Sequence, residues 1–255
     1  MKLKRTSLPN LSDRVGDMIR TNNESLILNT TVEDKDMSTG IAIGSIVQVD
    51  EHSHLEPVRY GKGSGVWRPT MTPMINEKNF FKRILKLMVK PFEDPIKWLK
   101  VFFVDDFAKR TSILLFMQHL DSTLKFREGW FGLMKSQVDT GKAPTAFIER
   151  ANQAAKLYAK IINGKSQVIV TESITGIPST AHILGGASMG ENAKEGVIDK
   201  NNRVFGYKNM YVFDGSMISA NPGVNPSLSI TAISERGMSH VPEASNAREE
   251  VATNN

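Results

Sequence analysis

Between His182 and Glu235 the chain places glycine, proline and asparagine at intervals that leave the backbone little choice. The run begins His182-Ile183-Leu184-Gly185-Gly186-Ala187 and passes through Gly196-Val197-Ile198-Asp199 and Arg203-Val204-Phe205-Gly206-Tyr207. It continues as Met210-Tyr211-Val212-Phe213-Asp214-Gly215-Ser216 and closes on Asn221-Pro222-Gly223-Val224-Asn225-Pro226-Ser227-Leu228. Glycine at such spacing permits left-handed backbone and close approach of other atoms, so the pattern marks a constrained site rather than a plain surface. The reading is a short buried strand at Met210–Phe213, a turn at Asp214-Gly215, and a helix starting at Asn225-Pro226 and running through Leu228 to Met238. Asn is a favoured cap and Pro a favoured first helical residue. The free N–H groups and positive dipole end of that helix suit an electron-rich group, worth roughly 0.3–1 kcal/mol at an exposed site.

These residues resemble the carboxyl-terminal part of the glucose–methanol–choline (GMC) family of flavin-dependent alcohol oxidoreductases, most closely its cholesterol-oxidase-like branch. A weaker likeness reaches back through Arg20-Thr21-Asn22-Asn23-Glu24 and Asp50-Glu51-His52-Ser53-His54-Leu55-Glu56-Pro57-Val58-Arg59-Tyr60-Gly61. The resemblance implies that His182 and Asn225 are the catalytic pair holding a substrate hydroxyl near a flavin. Imidazole suits that task because it exchanges protons near neutral pH. For Asn225, helix cap and substrate-facing amide are competing uses of one side chain. The resemblance further implies FAD contact at Asp214, Gly215, Asn225, Pro226 and Ser227. By order along the chain, Glu56 corresponds to the carboxylate that moves a proton in sterol-oxidising relatives, with a solvated strand-edge carboxylate as the alternative. Ile183 stands where the family often has Pro, and Ala187 where Cys is common.

The family's G-x-G-x-x-G turn for the FAD pyrophosphate has no counterpart here, because Gly61-x-Gly63-x-Gly65 lacks the third-glycine spacing and the following acidic residue. The expectation is therefore a carboxyl-terminal portion whose main FAD-binding half is lost or supplied in trans. The alternatives from other classes are a truncated, non-catalytic remnant, a sterol-binding module, and a flavin-independent ketosteroid isomerase acting through Glu56.

The expected architecture is α+β with an α/β part. An antiparallel-sheet substrate domain with covering helices spans 40–175, and 176–241 completes an FAD-binding α/β domain and the active site. Residues 1–39 read as loop with one short helix linking to the missing half, and 242–255 as a flexible tail. Strands are expected at 40–49, Leu55–Tyr60 and Ile113–Met117, and a helix at Phe80–Val89 with Phe80, Ile84, Leu87 and Met88 on one face. A second helix is expected at Thr145–Asn163, carrying Phe147, Ile148, Ala151, Ala155, Tyr158, Ile161 and Ile162 on a stripe and stopped by Gly164.

Composition narrows the function classes. The chain has no cysteine, which excludes disulfide staples and thiolate chemistry. Its 32 basic and 27 acidic residues leave a net charge of +5, too small and too mixed for a nucleic-acid partner. No secretory signal and no run of about 18 apolar residues is present, so the expected location is cytoplasmic. His52-x-His54 with Glu51 and Glu56 lacks a further ligand cluster, so no metal is expected. Residues 77–110 carry nine basic and five acidic side chains, a net +4 that is most of the chain's excess. One reading of 79–107 is a peripheral membrane contact; the other is a helical cover with solvated lysines. The partner implied by the resemblance is a hydrophobic alcohol or sterol.

Overall fold

The computed structural model describes residues 7–243 apart from 22 and 121. The expected tail lies almost wholly outside the described residues. In chain order the elements are β1 (Ser25–Thr31), β2 (Val47–Asp50), β3 (Ser53–Val58), β4 (Met71–Pro73), α1 (Phe80–Val89), α2 (Pro95–Phe102), α3 (Phe107–Arg110) and β5 (Thr111–Gln118). Then follow β6 (Thr123–Glu128), β7 (Met134–Thr140), α4 (Glu149–Ile161), β8 (Gly164–Ile169), α5 (Val170–Thr175) and α6 (Ser227–Met238). They fall into two compact units that interleave along the chain, one of 22–120 and 143–181, the other of 1–21, 121–142 and 182–255.

The first unit is a six-stranded antiparallel sheet in the order β2-β3-β5-β1-β8-β4, in keeping with the expected antiparallel fold class. Successive side chains alternate between its faces. On one face Ile27, Leu55, Leu114, Phe116 and Val168 pack against Ile148, Ala151 and Ala155 at and within α4. The small alanines let that helix approach the sheet. On the other face Leu28, Met71 and Ile113 meet Val104 and Phe107. Each such aliphatic side chain contributes about 1.5–3 kcal/mol through burial.

The strand that holds the sheet centre, β1, lies where the sequence suggests loop with a short helix, and the described residues of 7–39 contain no helix. Its polar residues Asn29, Thr30 and Thr31 are wholly buried, which hides the strand from any hydrophobic pattern. Each is paired: Thr30 Oγ1 with Gln167 Oε1 and Thr111 Oγ1 at 2.9 Å, Asn29 Oδ1 with the Ser166 hydroxyl at 2.7 Å, and the Thr31 hydroxyl with the Ile162 carbonyl. Buried polar groups are tolerated when paired in this way.

Two helices also differ from expectation. The stripe of α4 excludes Ile161, which is exposed, and its left-handed end residue is Asn163 (φ 50°), not Gly164. Gly164 serves β8 instead, since a Cβ there would lie 2.4 Å from the Thr30 carbonyl oxygen. In α1 the buried residue is Arg83, whereas Phe80 and Met88 face solvent. The Arg83 guanidinium donates to the carbonyls of Ser173 (2.7 Å), Ile174 (2.8 Å), Glu77 (3.0 Å) and Lys78 (3.0 Å). Its rigid fork of donors thereby pins α1 to the carboxyl end of α5.

The second unit has a small core of Val15, Ala187, Val197, Ile198, Val204 and Met217. Residues 7–21 are built into it, with Ile19 bridged to Leu124 and the Ser12 hydroxyl bonded to the Ala193 carbonyl at 2.6 Å. The Met210–Phe213 strand expected from sequence is absent; Tyr211 forms a single bridge with Arg203, and the segment is half-buried. Strands β6 and β7 form a separate hairpin whose tip carries Trp130 and the left-handed Phe131 and Gly132.

Two outcomes follow from this packing. Gly164→Ala should lower stability by roughly 3 kcal/mol or more, read as a fall in denaturation midpoint, because backbone must move to admit the methyl group. Burial pushes the Glu172 carboxyl above its ordinary range, opposed by the hydrogen bond it accepts from the Ser179 N–H at 2.6 Å. A carboxyl raised on folding opposes folding progressively as pH rises from its unfolded value of 4.5 through the raised one. Glu172→Gln should therefore raise the melting temperature at neutral pH and leave it little changed below pH 4.5.

Candidate active site

Within the second unit the segment from His182 to Ala187 is fixed from two sides. Leu184 exchanges backbone hydrogen bonds with Arg20 (2.8 and 2.9 Å), and the N–H groups of Gly185 and Ala187 donate to the carbonyls of Gly215 (3.1 Å) and Ser216 (2.9 Å). Gly185 is left-handed (φ 76°), and a Cβ on it would lie 1.9 Å from the Met18 carbonyl oxygen. Only glycine admits this approach. The half-buried His182 imidazole is thus carried on a strip whose backbone is fastened at Leu184, Gly185 and Ala187.

The turn that fastens it is built by Asp214, whose carboxylate accepts the Ser216 N–H at 2.7 Å and starts a single 3-10 turn over Gly215–Met217. The exposed Asp214 carboxylate is therefore used locally. A Cβ at Gly215 would lie 3.1 Å from Leu184 Cδ2 and 3.4 Å from Ile230 Cδ1, so this glycine brings the 182–187 strip, the turn and α6 together. Of the residues expected at FAD, the structure collects Asp214, Gly215, Asn225, Pro226 and Ser227 in this one unit with His182.

The start of α6 differs in detail from the sequence reading. Pro226, not Asn225, occupies the cap position, and its ring makes no side-chain cap hydrogen bond. Asn225 stands one residue earlier, half-buried, at the end of a turn in which Asn221 Oδ1 accepts the Gly223 N–H at 2.9 Å. The first helical residues, Ser227, Leu228 and Ser229, are exposed, and the opening N–H groups of a helix lack intrahelical partners. An accessible helix end of this kind is chemically suited to an electron-rich group.

Glu56 belongs to the other unit. It is buried on β3, not solvated at a strand edge, with Oε1 3.5 Å from Nε2 of the equally buried His54. In register it opposes Leu115, which opposes Leu26. Leu26, Leu28, Ile113, Trp67, Met71 and Phe107 contribute to an apolar cavity of about 130 Å³. Glu56 therefore shares the cavity's face of the sheet, two strands or about 10 Å from Leu26. Among the described residues no group of three or more His, Cys, Asp or Glu is arranged for a metal.

Two residues of the Arg20–Glu24 stretch escaped functional assignment from sequence. The Arg20 guanidinium donates to the carbonyls of Ser219 (2.6 Å) and Ser122 (3.4 Å), and its backbone carries Leu184. Glu24, 1% exposed, accepts through Oε1 from the Thr180 hydroxyl and the Ala181 N–H, the two residues before His182. Two ionic side chains in a polar stretch were the available signal, but their partners lie more than 100 residues away. Glu24→Ala should leave the Thr180 hydroxyl and the Ala181 N–H without this acceptor, lower stability by about 1–3 kcal/mol and speed hydrogen exchange at 180–184 above that in α4.

Residues 132–234 match the model of the GMC oxidoreductase family. A cholesterol oxidase of Acinetobacter baumannii is 39% identical over 251 residues, which are 97% of this chain and 45% of that protein. A cholesterol oxidase of Mycobacterium tuberculosis (strain H37Rv) is 38% identical over 246 residues, 92% of this chain and 42% of that protein. The chain spans less than half the length of these curated relatives. The crystal structure of pyridoxine 4-oxidase from Mesorbium loti matches with a TM-score of 0.46 and 12% identity, over 92% of this chain and 47% of that one. On the family model over residues 132–234 and on identity along nearly its whole length, the chain is similar to a carboxyl-terminal portion of the GMC oxidoreductases.

Proposed function

We propose that this oxidoreductase oxidises the hydroxyl group of a hydrophobic, sterol-like alcohol to a carbonyl with FAD as cofactor. The observation that carries the proposal is the assembly in one unit of the His182 strip, the Gly215 turn and the uncapped start of α6. FAD, when bound, supplies a two-electron acceptor for the hydrogen leaving the carbinol carbon as hydride. The residues assigned to hold it are Asp214, Gly215, Asn225, Pro226 and Ser227, with the free N–H groups of α6 meeting its electron-rich edge. His182 accepts the hydroxyl proton, and the Asn225 amide orients the same hydroxyl. The sequence contains no pyrophosphate turn, so that grip is assigned to a dinucleotide-binding polypeptide stretch outside it.

The apolar cavity of the first unit supports the substrate class. At about 130 Å³ it has the size that takes one six-membered ring of a polycyclic alcohol. Glu56, buried on the cavity's sheet face, suits proton transfer between two carbons of the ketone product. That observation also favours a second reading, in which the chain isomerises a Δ5-3-ketosteroid without flavin.

The deciding experiment is the visible absorption spectrum of the purified chain, alone and co-expressed with a dinucleotide-binding GMC segment. Flavin absorbance with the partner is the expected result; its absence in both preparations would defeat the cofactor assignment. In the flavin-loaded protein His182→Asn should lower kcat for alcohol oxidation by about 10²–10⁴-fold with the flavin spectrum retained. Conversion of the ketosteroid by the chain alone, abolished in Glu56→Gln, would establish the second reading.

A further inference from the structure

His54 is a buried ionisable side chain that the proposed reaction leaves unused. It stands on β3 two residues before Glu56, so the two side chains share one face of the sheet. The imidazole is 5% exposed and Glu56 6%. Nε2 of His54 has no hydrogen-bond partner, although Glu56 Oε1 lies 3.5 Å away, within ion-pair reach. A buried polar nitrogen in this condition is uncommon and costs free energy. A leucine at position 54 would remove that cost, so packing in the sheet gives no reason for the imidazole.

The register shows where the pair stands relative to the cavity. Val58 opposes Ile113, Glu56 opposes Leu115 and His54 opposes Met117. Ile113 lines the apolar cavity and is the diagonal neighbour of Glu56. Diagonal neighbours on a sheet stand about 7–8 Å apart, within reach of a long side chain. Cavity, carboxylate and imidazole therefore follow one another along a single face, with His54 behind Glu56. On its other flank His54 opposes Gln48 of β2, whose amide donates to the carbonyls of Asp50 (2.5 Å) and Ser53 (3.2 Å). That amide is spent on the turn, and the carboxylate within reach of Nε2 is Glu56. Among the described residues no third His, Cys, Asp or Glu joins the two in a metal-binding group.

We propose that His54 is the positioning residue for Glu56: in the tautomer that carries its proton on Nε2, it donates to the carboxylate from behind and holds it toward the cavity. The inference rests on the ketosteroid reading of Glu56 given above. In that reaction the carboxylate takes a proton from the carbon between the carbonyl and the double bond. An O–H bond forms as the C–H bond breaks, and the electron pair passes into a dienolate. The proton then returns to the far carbon of the double bond, which moves into conjugation, and no oxidant or reductant is consumed. Between the two steps the carboxyl group changes charge and must keep its orientation, which a donor fixed on the sheet provides. At 3.5 Å the contact is long for a hydrogen bond. Catalytic hydrogen bonds are often long or poorly aligned before substrate binds and tighten in the complex.

Steady-state conversion of a Δ5-3-ketosteroid by the full chain, followed through the absorbance of the conjugated ketone, tests the assignment. His54→Leu fills the site without a donor and should lower kcat on the order of 10²-fold with KM unchanged. His54→Gln keeps a donor and should restore most of that loss. A packing role predicts the reverse order, since leucine suits an apolar setting better than glutamine. A second measurement reads the contact in the resting protein and decides the matter should a His54 variant fail to fold. In ¹⁵N spectra of the histidine rings at one pH, the His54 signals should move in Glu56→Gln while those of the other four histidines hold. If the wild type converts no ketosteroid, or Glu56→Gln leaves conversion intact, the ketosteroid reading fails and this inference with it. The reading stands and the His54 assignment alone is overturned if Glu56→Gln abolishes conversion but His54→Leu keeps kcat. The same holds if His54→Gln falls below His54→Leu, or if the His54 ring signals do not move in Glu56→Gln.

Discussion

The carbonyl oxygen of Met18 occupies the space where a side chain at position 185 would begin, and the placement of His182 depends on that contact. Because Gly185 has no Cβ and adopts a left-handed φ, residues 18–20 lie directly against 184–186 and exchange backbone hydrogen bonds with Leu184. The same strip then offers its next N–H groups to the turn at Gly215. A histidine on a free loop would sample many positions; here the backbone just after it is held by main-chain bonds, and the backbone just before it by Glu24. The fixed placement that a candidate acid–base residue needs comes from two glycines that lack a Cβ, together with two ionic residues whose partners are remote in sequence.

In the sheet unit the corresponding requirement is that polar residues be satisfied where they are buried. Asn29, Thr30 and Thr31 sit in the middle of the central part of the sheet and have partners on β5, β8 and the end of α4. Such a row fixes register, since a slip of one residue would leave every one of these groups unpaired as well as turning Ile27 and Leu28 to the wrong faces. Register in turn places Glu56 and the apolar cavity on a common face. The position of a candidate proton carrier thus follows from hydrogen bonds made two strands away.

Much of this was legible from the residues. The strands at β3 and β5, the helices α1 and α4, and the helix beginning beside Pro226 stand close to where hydrophobic spacing and helix-start signals put them, and the glycine-rich segment is the one that builds the site. The failures share a cause. β1 was missed because its buried residues are polar and become acceptable only through partners more than 80 residues distant. Met210–Phe213 has the composition of a strand but no neighbouring strand to complete a ladder. Gly164 has the position of a helix stop, yet Asn163 supplies the left-handed turn and Gly164 answers to the Thr30 carbonyl. In α1 the amphipathic period was real, but the sign of its orientation depended on four carbonyl oxygens that only Arg83 could bind together.

By itself the sequence determined the family resemblance, the candidate chemistry-bearing residues and the local stiffness around them, because those depend on residue type and on short-range steric limits of glycine, proline and asparagine. Tertiary structure alone decided which of those residues share a unit, which buried polar groups are satisfied, and which side of each amphipathic helix faces water. These are questions of long-range pairing, and a linear pattern carries the need for a partner without saying where the partner is.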